Sequence, residues 1–322
     1  MAIDYADSTS TPEKLTLLVF IAAIVIGNLC VYITYLVRAD GKHWSNMFVL
    51  GMAFIDLFIG GFVLPMRFIS AYGNPLTDKL CAALAVGESC AIAAVIYTIA
   101  FMIYTRLYNL KHPTTYIHRR FLVLLLLVSW LGFFLFYGIP FITNYSSYLI
   151  ILVSTTSNAT SYCTTYTTSI YHPLWMAYTE IGAIYGLPLL AIVIGLILLT
   201  KELCKRRPRK LEAPERKMYN NERKMTWHVF LIGVTFLCLW FPWIIVRIVI
   251  IFYNTHIIQS TLQITYYILI IKCVLFPLLY ASTNASFRGS FAIYRHQRIV
   301  LNNRVWAVHN PNRQLTQYHR GY

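Results

Sequence analysis

Charged side chains are scarce in this sequence of 322 residues. Only 12% of the residues are Asp, Glu, Lys or Arg, whereas about a quarter of an ordinary soluble domain is charged. Apolar residues make up 58% of the chain, and its mean hydropathy is +0.58. This composition excludes an ordinary soluble globule and predicts a protein that lies largely in a lipid bilayer.

Acidic residues are the scarcer of the two signs. Twelve Asp and Glu against 27 Lys and Arg give a formal net charge of +15. In nucleic-acid-binding proteins such an excess gathers on one soluble face, but here the bases lie between apolar segments, so we expect no nucleic-acid partner. The chain also lacks paired acids with general-base geometry, metal-spaced His and Cys sets and nucleophile motifs. It predicts no enzyme, no metal site and no cofactor.

What the sequence does contain is seven long apolar segments, each near or above the ~20 residues that a membrane helix needs. None of them alternates with a period of two, so a transmembrane β-barrel is not expected. The predicted fold class is an all-α membrane protein, a seven-transmembrane helix bundle. The segments are Leu15–Val37, Met47–Ile69, Cys81–Tyr108, Phe121–Ile142, Leu174–Leu199, Val229–Tyr253 and Leu262–Ala281.

Lys and Arg concentrate in every second connection between these segments, which places those connections in the cytoplasm. The N-terminus then lies outside the cell, and the chain is expected to be a multi-pass plasma-membrane protein. We predict an extracellular tail over residues 1–14, the seven-helix domain over 15–283, and a short cytoplasmic amphipathic helix and tail over 284–322. The basic connections should also attract anionic membrane lipids.

The outside connections carry two kinds of modification signal. Asn144 and Asn158 each begin an N-x-S/T sequon in the loop after the fourth segment, so we predict glycosylation at both. Among the cysteines, only Cys81 and Cys163 fall at outside positions. Because that environment is oxidising, we predict a disulfide between them.

The third segment carries one acid, Glu88, and one base, Arg106, 18 positions later. At a helical rise of 1.5 Å per residue these charges are roughly 27 Å apart, nearly the thickness of the hydrocarbon. A charge inside a membrane is costly unless it faces a cavity or a partner, so both are candidate functional residues. A helix marked in this way suits a protein that senses on one side and reports on the other.

Several landmark residues occur in the order known from one membrane family. They are Asn28, Asp56, Trp130, Pro188, the Trp240-Phe241-Pro242 segment and the run from Pro277 to Tyr280. Over nearly its whole length the chain resembles the rhodopsin-like (class A) G-protein-coupled receptors, and the run around Asp56 together with Glu88 makes it most similar to the aminergic-type receptors. The resemblance implies an extracellular ligand, a heterotrimeric G protein and arrestin as partners.

The resemblance also assigns residues to activation. Arg106 corresponds to the arginine of the family's Asp-Arg-Tyr motif, although Thr105 replaces the acid and Leu196 replaces a tyrosine of the fifth helix. Glu222 is implied to pair with Arg106 and hold the receptor inactive; the alternative is a solvated Glu222. The other residues that the resemblance assigns to activation and G-protein coupling are Pro188, Ile96, Phe236 and Tyr280.

In the middle of the bundle, Asp56 resembles the acid that binds sodium in many such receptors, but Val95 and Phe276 replace two of its partners. Lys272 lies one turn before Phe276 on the same face. We therefore predict an Asp56–Lys272 ion pair that takes the place of sodium, the alternative being a lysine that turns to another partner or to water. An opsin is not expected. The lysine that binds retinal in opsins would stand at Ile270, and Lys272, two residues later, lies about 200° further around the helix.

Ligand binding is predicted in the outer half of the bundle. Glu88 falls where aminergic receptors carry the acid that pairs with the ligand's ammonium, and aromatic faces could complete a cage. A small biogenic amine is therefore the leading ligand. If Arg67 neutralises Glu88, no carboxylate is left for an amine; a short peptide or amino-acid-like ligand that uses both signs is the alternative. The predicted ligand-binding residues are Glu88, Arg67, Trp175, Glu180, Tyr185, Trp240, Trp243, Arg247 and Tyr266.

Two further classes stay open at this stage. A receptor-like protein that binds without signalling is compatible with Thr105, Leu196 and Phe276. A transporter would use Asp56 and Lys272 in a proton pathway, but internal repeats with broken helices, which transporters usually show, are not evident.

Overall fold

A computed structural model describes residues 11–37, 45–72, 78–112, 117–143, 174–205, 213–252 and 256–283. The predicted glycosylation sites Asn144 and Asn158, the disulfide partner Cys163 and the predicted cytoplasmic helix and tail fall outside these ranges. Cys81 begins the third segment, but its side chain is likewise outside the description.

Within the described residues, seven helices are long and apolar enough to cross a membrane, and no strand is present. This confirms the all-α, seven-helix fold class. The membrane spans, called the first to seventh span below, are Leu15–Leu36, Met47–Ile69, Ala83–Lys111, Arg120–Ile139, Glu180–Cys204, Glu222–Val249 and Ile264–Ser282.

The helices extend beyond their apolar parts. The sixth helix begins at Ala213, well before the predicted Val229, because polar and charged residues continue the helix beyond the part that suits a bilayer. Apolar composition therefore located the spans but not the helix ends. The helical elements are Thr11–Val37, Ser45–Phe58, Ile59–Val63 (π), Leu64–Tyr72, Asp78–Lys111, Arg119–Thr143, Leu174–Thr179, Glu180–Gly186 (π), Leu187–Cys204, Ala213–Phe252 and His256–Thr283.

The third span is the centre of the bundle. It contacts the second, fourth, fifth and sixth spans. In its most apolar stretch 67% of the residues are buried, compared with 28% in the fourth span and 17% in the first. Charges on the third span are therefore held inside the protein, whereas the first and fourth spans present apolar side chains outward, as lipid-facing helices do.

Small residues allow the helices to approach closely. A Cβ added to Gly195 on the fifth span would lie 2.5 Å from Ile103 Cγ2 on the third. A Cβ at Gly60 on the second span would lie 2.5 Å from Ile24 Cγ2 on the first. Since association of helices in lipid depends on close packing, these glycines set the distance between the paired spans.

Two short π-helical segments interrupt the second and fifth spans. Each ends two residues before a proline, Ile59–Val63 before Pro65 and Glu180–Gly186 before Pro188. Proline has no backbone N–H and its ring clashes with the carbonyl four residues earlier, so a wider turn relieves the conflict. Both widened turns lie in the outer half, next to the charged residues described below.

By its contacts the chain divides into two units, Met1–Leu278 and Leu279–Tyr322. The ion pairs below all lie in the first unit. The described part of the second is the end of the last helix, where Tyr280 is found.

Candidate functional site

The outer half of the second and third spans is joined by an ion pair between Arg67 and Glu88. The guanidinium of Arg67 donates to Glu88 Oε2 and lies 4.3 Å from the centroid of the Tyr266 ring on the seventh span. That distance is within the range of a cation–π contact. Glu88 is buried, and its Oε1 has no hydrogen-bond partner among the described residues. One oxygen of this carboxylate is thus committed to Arg67, and the other still has acceptor capacity.

A second buried pair joins the fifth and sixth spans. Arg247 Nη2 lies 3.6 Å from Glu180 Oε1. The same oxygen accepts a hydrogen bond from the Tyr185 hydroxyl at 2.7 Å and a longer one from the Tyr137 hydroxyl at 3.4 Å. All four side chains are buried. Sequence reasoning found Glu180, Arg247 and Tyr185 but missed Tyr137, because a tyrosine in an aromatic run of the fourth span gives no charge signal.

The aromatic residues predicted to form a cage around the ligand each contact a different partner within the protein. The Tyr266 ring makes a cation–π contact with Arg67, so this aromatic face already has a cation from the chain itself. Trp243 meets Tyr185 edge on, with ring centroids 6.1 Å apart. Trp175 is 58% exposed and its ring meets that of Phe136 edge on, so its part in ligand binding stays a prediction. It lies in the first turn of the helix Leu174–Thr179.

Trp240 packs deeper. Its ring contacts Phe236 with centroids 4.6 Å apart, and its Nε1 has no hydrogen-bond partner among the described residues. Both rings are buried, as are Ile96 and Pro188, which the family resemblance assigns to activation together with Phe236. The described side chains therefore place all four of these residues inside the bundle.

At mid-depth, Lys272 Nζ donates to Asp56 Oδ1 at 2.6 Å. The lysine is 4% exposed and the aspartate 0%. The ammonium also lies 5.6 Å from the centroid of the Phe276 ring. Phe276, which replaces a polar partner in the family pattern, thus contributes an aromatic face to the cation that the chain itself supplies.

On the inner side, Arg106 is held by two residues of the sixth span. Its Nη2 lies 2.7 Å from Glu222 Oε2 and also donates to the Glu222 carbonyl. Its Nε and Nη2 donate to Thr226 Oγ1 at 2.9 Å and 2.8 Å. Sequence reasoning did not identify Thr226, which is one helical turn after Glu222 and buried.

The two partners of Arg106 differ in exposure. The Glu222 side chain is 43% exposed, whereas Arg106 is almost fully buried. An exposed carboxylate gives a modest ion pair because water screens it, so the buried Thr226 hydroxyl carries a substantial share of the contact.

Four acid–base pairs thus connect different spans at three depths of a helical membrane protein. This arrangement defines a multi-pass bundle with charged contacts near its outer side, in its middle and at its inner end. A sequence model of the 7 transmembrane receptor (rhodopsin family) matches residues 27–280, so the chain belongs to that family. A comparison with curated proteins gives no matching relative.

Family membership establishes the class of protein. The chain is a multi-pass plasma-membrane receptor of the G-protein-coupled family, and membership of that family implies an extracellular ligand and a G protein as partners. Receptors of this family are signalling proteins and not enzymes. The match is to the family as a whole and gives no support to the more specific resemblance to aminergic receptors.

Proposed function

We propose that this receptor binds a ligand that carries both an ammonium and a carboxylate, such as an amino-acid-like molecule or a short peptide, and activates a heterotrimeric G protein. One observation supports the ligand class. Both outer carboxylates, Glu88 and Glu180, already have an arginine partner, Arg67 and Arg247.

The cost of binding differs between ligand classes. A simple amine that displaced Arg67 from Glu88 would leave a buried guanidinium without its counter-ion, and breaking a buried pair in this way costs about 3–5 kcal/mol. A ligand with both charges can exchange partners instead. Its ammonium replaces the guanidinium on a carboxylate while its own carboxylate takes the released arginine, so no charge is left unpaired.

The neighbouring hydrogen-bonding groups fit such an exchange. Glu88 Oε1 can accept a bond, and Arg247 Nε and Trp243 Nε1 can each donate one; none of these three atoms has a hydrogen-bond partner among the described residues. Buried polar atoms usually find partners, so a polar ligand that supplied one donor and two acceptors would satisfy all three atoms.

A biogenic amine is the second candidate, and one feature favours it. Because Glu88 Oε1 is available while Oε2 holds Arg67, an ammonium could approach the free oxygen without displacing the arginine. The Tyr266 ring beside this pair would add an aromatic face.

A matched set of compounds separates the two candidates. The purified receptor would be tested for thermal stabilisation by amino acids and dipeptides, by their methyl esters, which keep only the ammonium, and by their N-acetyl derivatives, which keep only the carboxylate. Ligand binding raises apparent stability by mass action, even without signalling. Stabilisation by a free amino acid or dipeptide, but by neither derivative, supports the proposal.

Two results point elsewhere. Stabilisation by an ester or a simple amine as strong as that by the parent amino acid favours the amine candidate, and Glu88→Gln should then abolish it. If the stabilisation instead survives each of the single substitutions Glu88→Gln, Glu180→Gln, Arg67→Gln and Arg247→Gln, the ligand contacts neither ion pair.

On the inner side we propose that ligand binding favours outward movement of the sixth span and opens the contacts of Arg106 with Glu222 and Thr226. The mechanism is a population shift between two helix packings. Ligand-driven nucleotide exchange on a purified heterotrimeric G protein tests it. Saturating ligand that stabilises the receptor but leaves exchange unchanged would favour the receptor-like protein that binds without signalling.

A further inference from the structure

The carboxylate of Glu180 and the hydroxyl of Tyr185 meet although the two residues are five positions apart on one helix. In an α-helix, residues five apart point about 140° away from each other. In a π-helix the N–H of residue i+5 bonds to the carbonyl of residue i, and the wider turn brings residues five apart to nearly the same face. Both residues belong to the π segment Glu180–Gly186. The π register is therefore what brings Tyr185 to Glu180.

This register leaves one carbonyl without a backbone partner. The N–H of Leu187 bonds to the carbonyl of Gly182, five residues back, and not to that of Ala183. The next N–H in the same pattern would come from residue 188 and would bond to Ala183. That residue is Pro188, which has no N–H.

Tyr97 on the third span supplies the missing donor. Its hydroxyl donates to the Ala183 carbonyl at 2.7 Å. We propose that Tyr97 is a positioning residue that holds the fifth span in its π register and thereby builds the Glu180–Tyr185 part of the outer site. That Glu180 contacts ligand rests on the proposed function; the effect of Tyr97 on the register does not.

A second tyrosine of the third span provides a matched control. Tyr104 donates to the carbonyl of Ala191 at 3.1 Å, again from the third span to the fifth. Ala191 lies beyond the proline in the regular helix Leu187–Cys204, where a backbone N–H four residues later can serve its carbonyl. The Tyr104 bond is therefore additional, whereas the Tyr97 bond replaces one that the backbone cannot make.

The proposal is tested on ligand-free receptor through melting temperatures. Tyr97→Phe should lower the melting temperature more than Tyr104→Phe does. Pro188→Ala restores an N–H that can serve the freed carbonyls of this turn. In the Pro188→Ala background, Tyr97→Phe should therefore cost clearly less than in the wild type, while the cost of Tyr104→Phe should be the same in both backgrounds.

A purely packing role for Tyr97 gives a different result, because the cost of Tyr97→Phe would then not depend on an N–H at position 188. Equal costs of Tyr97→Phe in the two backgrounds would overturn the proposal. If Pro188→Ala cannot be purified, the coupling of Tyr97→Phe with Tyr185→Phe replaces it: we expect non-additive losses for that pair and additive losses for Tyr104→Phe with Tyr185→Phe. Additive losses in both cycles would also refute it.

Ligand binding gives a separate readout. If an amino acid or dipeptide from the compound set binds, Tyr97→Phe should weaken it about five- to tenfold, the effect of one hydrogen bond in a buried network, and Tyr104→Phe should not. The measurements on ligand-free protein stand even if no compound of that set binds, so the two proposals can fail independently.

Discussion

Lys272 and Asp56 form a buried ion pair between the seventh and second spans, with 2.6 Å between Nζ and Oδ1. Lys272 thus places a positive charge, fixed to the chain, beside Asp56, whose position resembles that of the sodium-binding acid of the family. An attached cation cannot diffuse away, so its effect on the bundle does not depend on the surrounding solution.

We predict that removing either partner alone destabilises the receptor strongly. Lys272→Met and Asp56→Asn should each lower the free energy of unfolding by about 3–5 kcal/mol, because each leaves a buried group without its partner. The double variant should recover much of this loss, since it buries no charge. Thermal unfolding of the purified variants measures the cycle, and simple additivity of the two single losses would contradict the pairing.

Sodium should have no specific effect on the wild-type receptor. Exchange of sodium for N-methylglucamine at constant ionic strength should leave its melting temperature and ligand affinity unchanged. Lys272→Met, which frees Asp56, should become sodium dependent. A wild type that responds to sodium would contradict the proposal that Lys272 takes the ion's place.

Thr226→Ala should raise ligand-independent G-protein activation several-fold, because it removes a buried hydroxyl that accepts two bonds from Arg106. Thr226→Ser keeps the oxygen and is the matched control. Glu222→Gln should have an effect of the same sign but smaller, since Glu222 is partly exposed and its carbonyl still accepts a bond from Arg106. Basal nucleotide exchange measures all three, and unchanged exchange in Thr226→Ala would show that Thr226 does not restrain Arg106.

Gly195→Ala should destabilise the bundle by about 1–3 kcal/mol, because the added Cβ would overlap Ile103 and force the third and fifth spans apart. Gly132→Ala is the control. A Cβ there meets nothing within 4 Å, and alanine is the better helix former, so stability should be unchanged or slightly higher. Melting temperatures compare the two, and equal changes would mean that close helix contact does not decide the cost.

Charges in apolar spans were the most informative part of the sequence. The need of a charge in lipid for a counter-ion predicts Asp56 with Lys272 and Arg67 with Glu88 as partners, and the family resemblance implies Arg106 with Glu222. Apolar composition and length also identified all seven spans. The sequence alone could not show whether Glu88 and Glu180 bind ligand or pair with an arginine of the chain, because that depends on which arginine reaches which acid.

Uncharged polar residues were the part that sequence reasoning missed. Thr226 and Tyr137 each contact a buried charge, yet threonine and tyrosine are common in membrane helices and carry no signal of their own. The π segments were missed for a related reason. Pro65 and Pro188 mark the places where a helix must adjust, but proline alone does not say whether the helix kinks or widens.

The pairing of Asp56 with Lys272 also bears on how the chain is assembled. The two residues are 216 positions apart, so the second span enters the membrane long before the seventh. A lysine at the centre of a span costs about 2.5–3.5 kcal/mol on insertion, and Asp56 offers a counter-charge that is already in place. A truncated chain without its last span carries an unpaired aspartate in the bilayer, which a complete receptor does not. The same ion pair therefore forms only after the last span has been inserted.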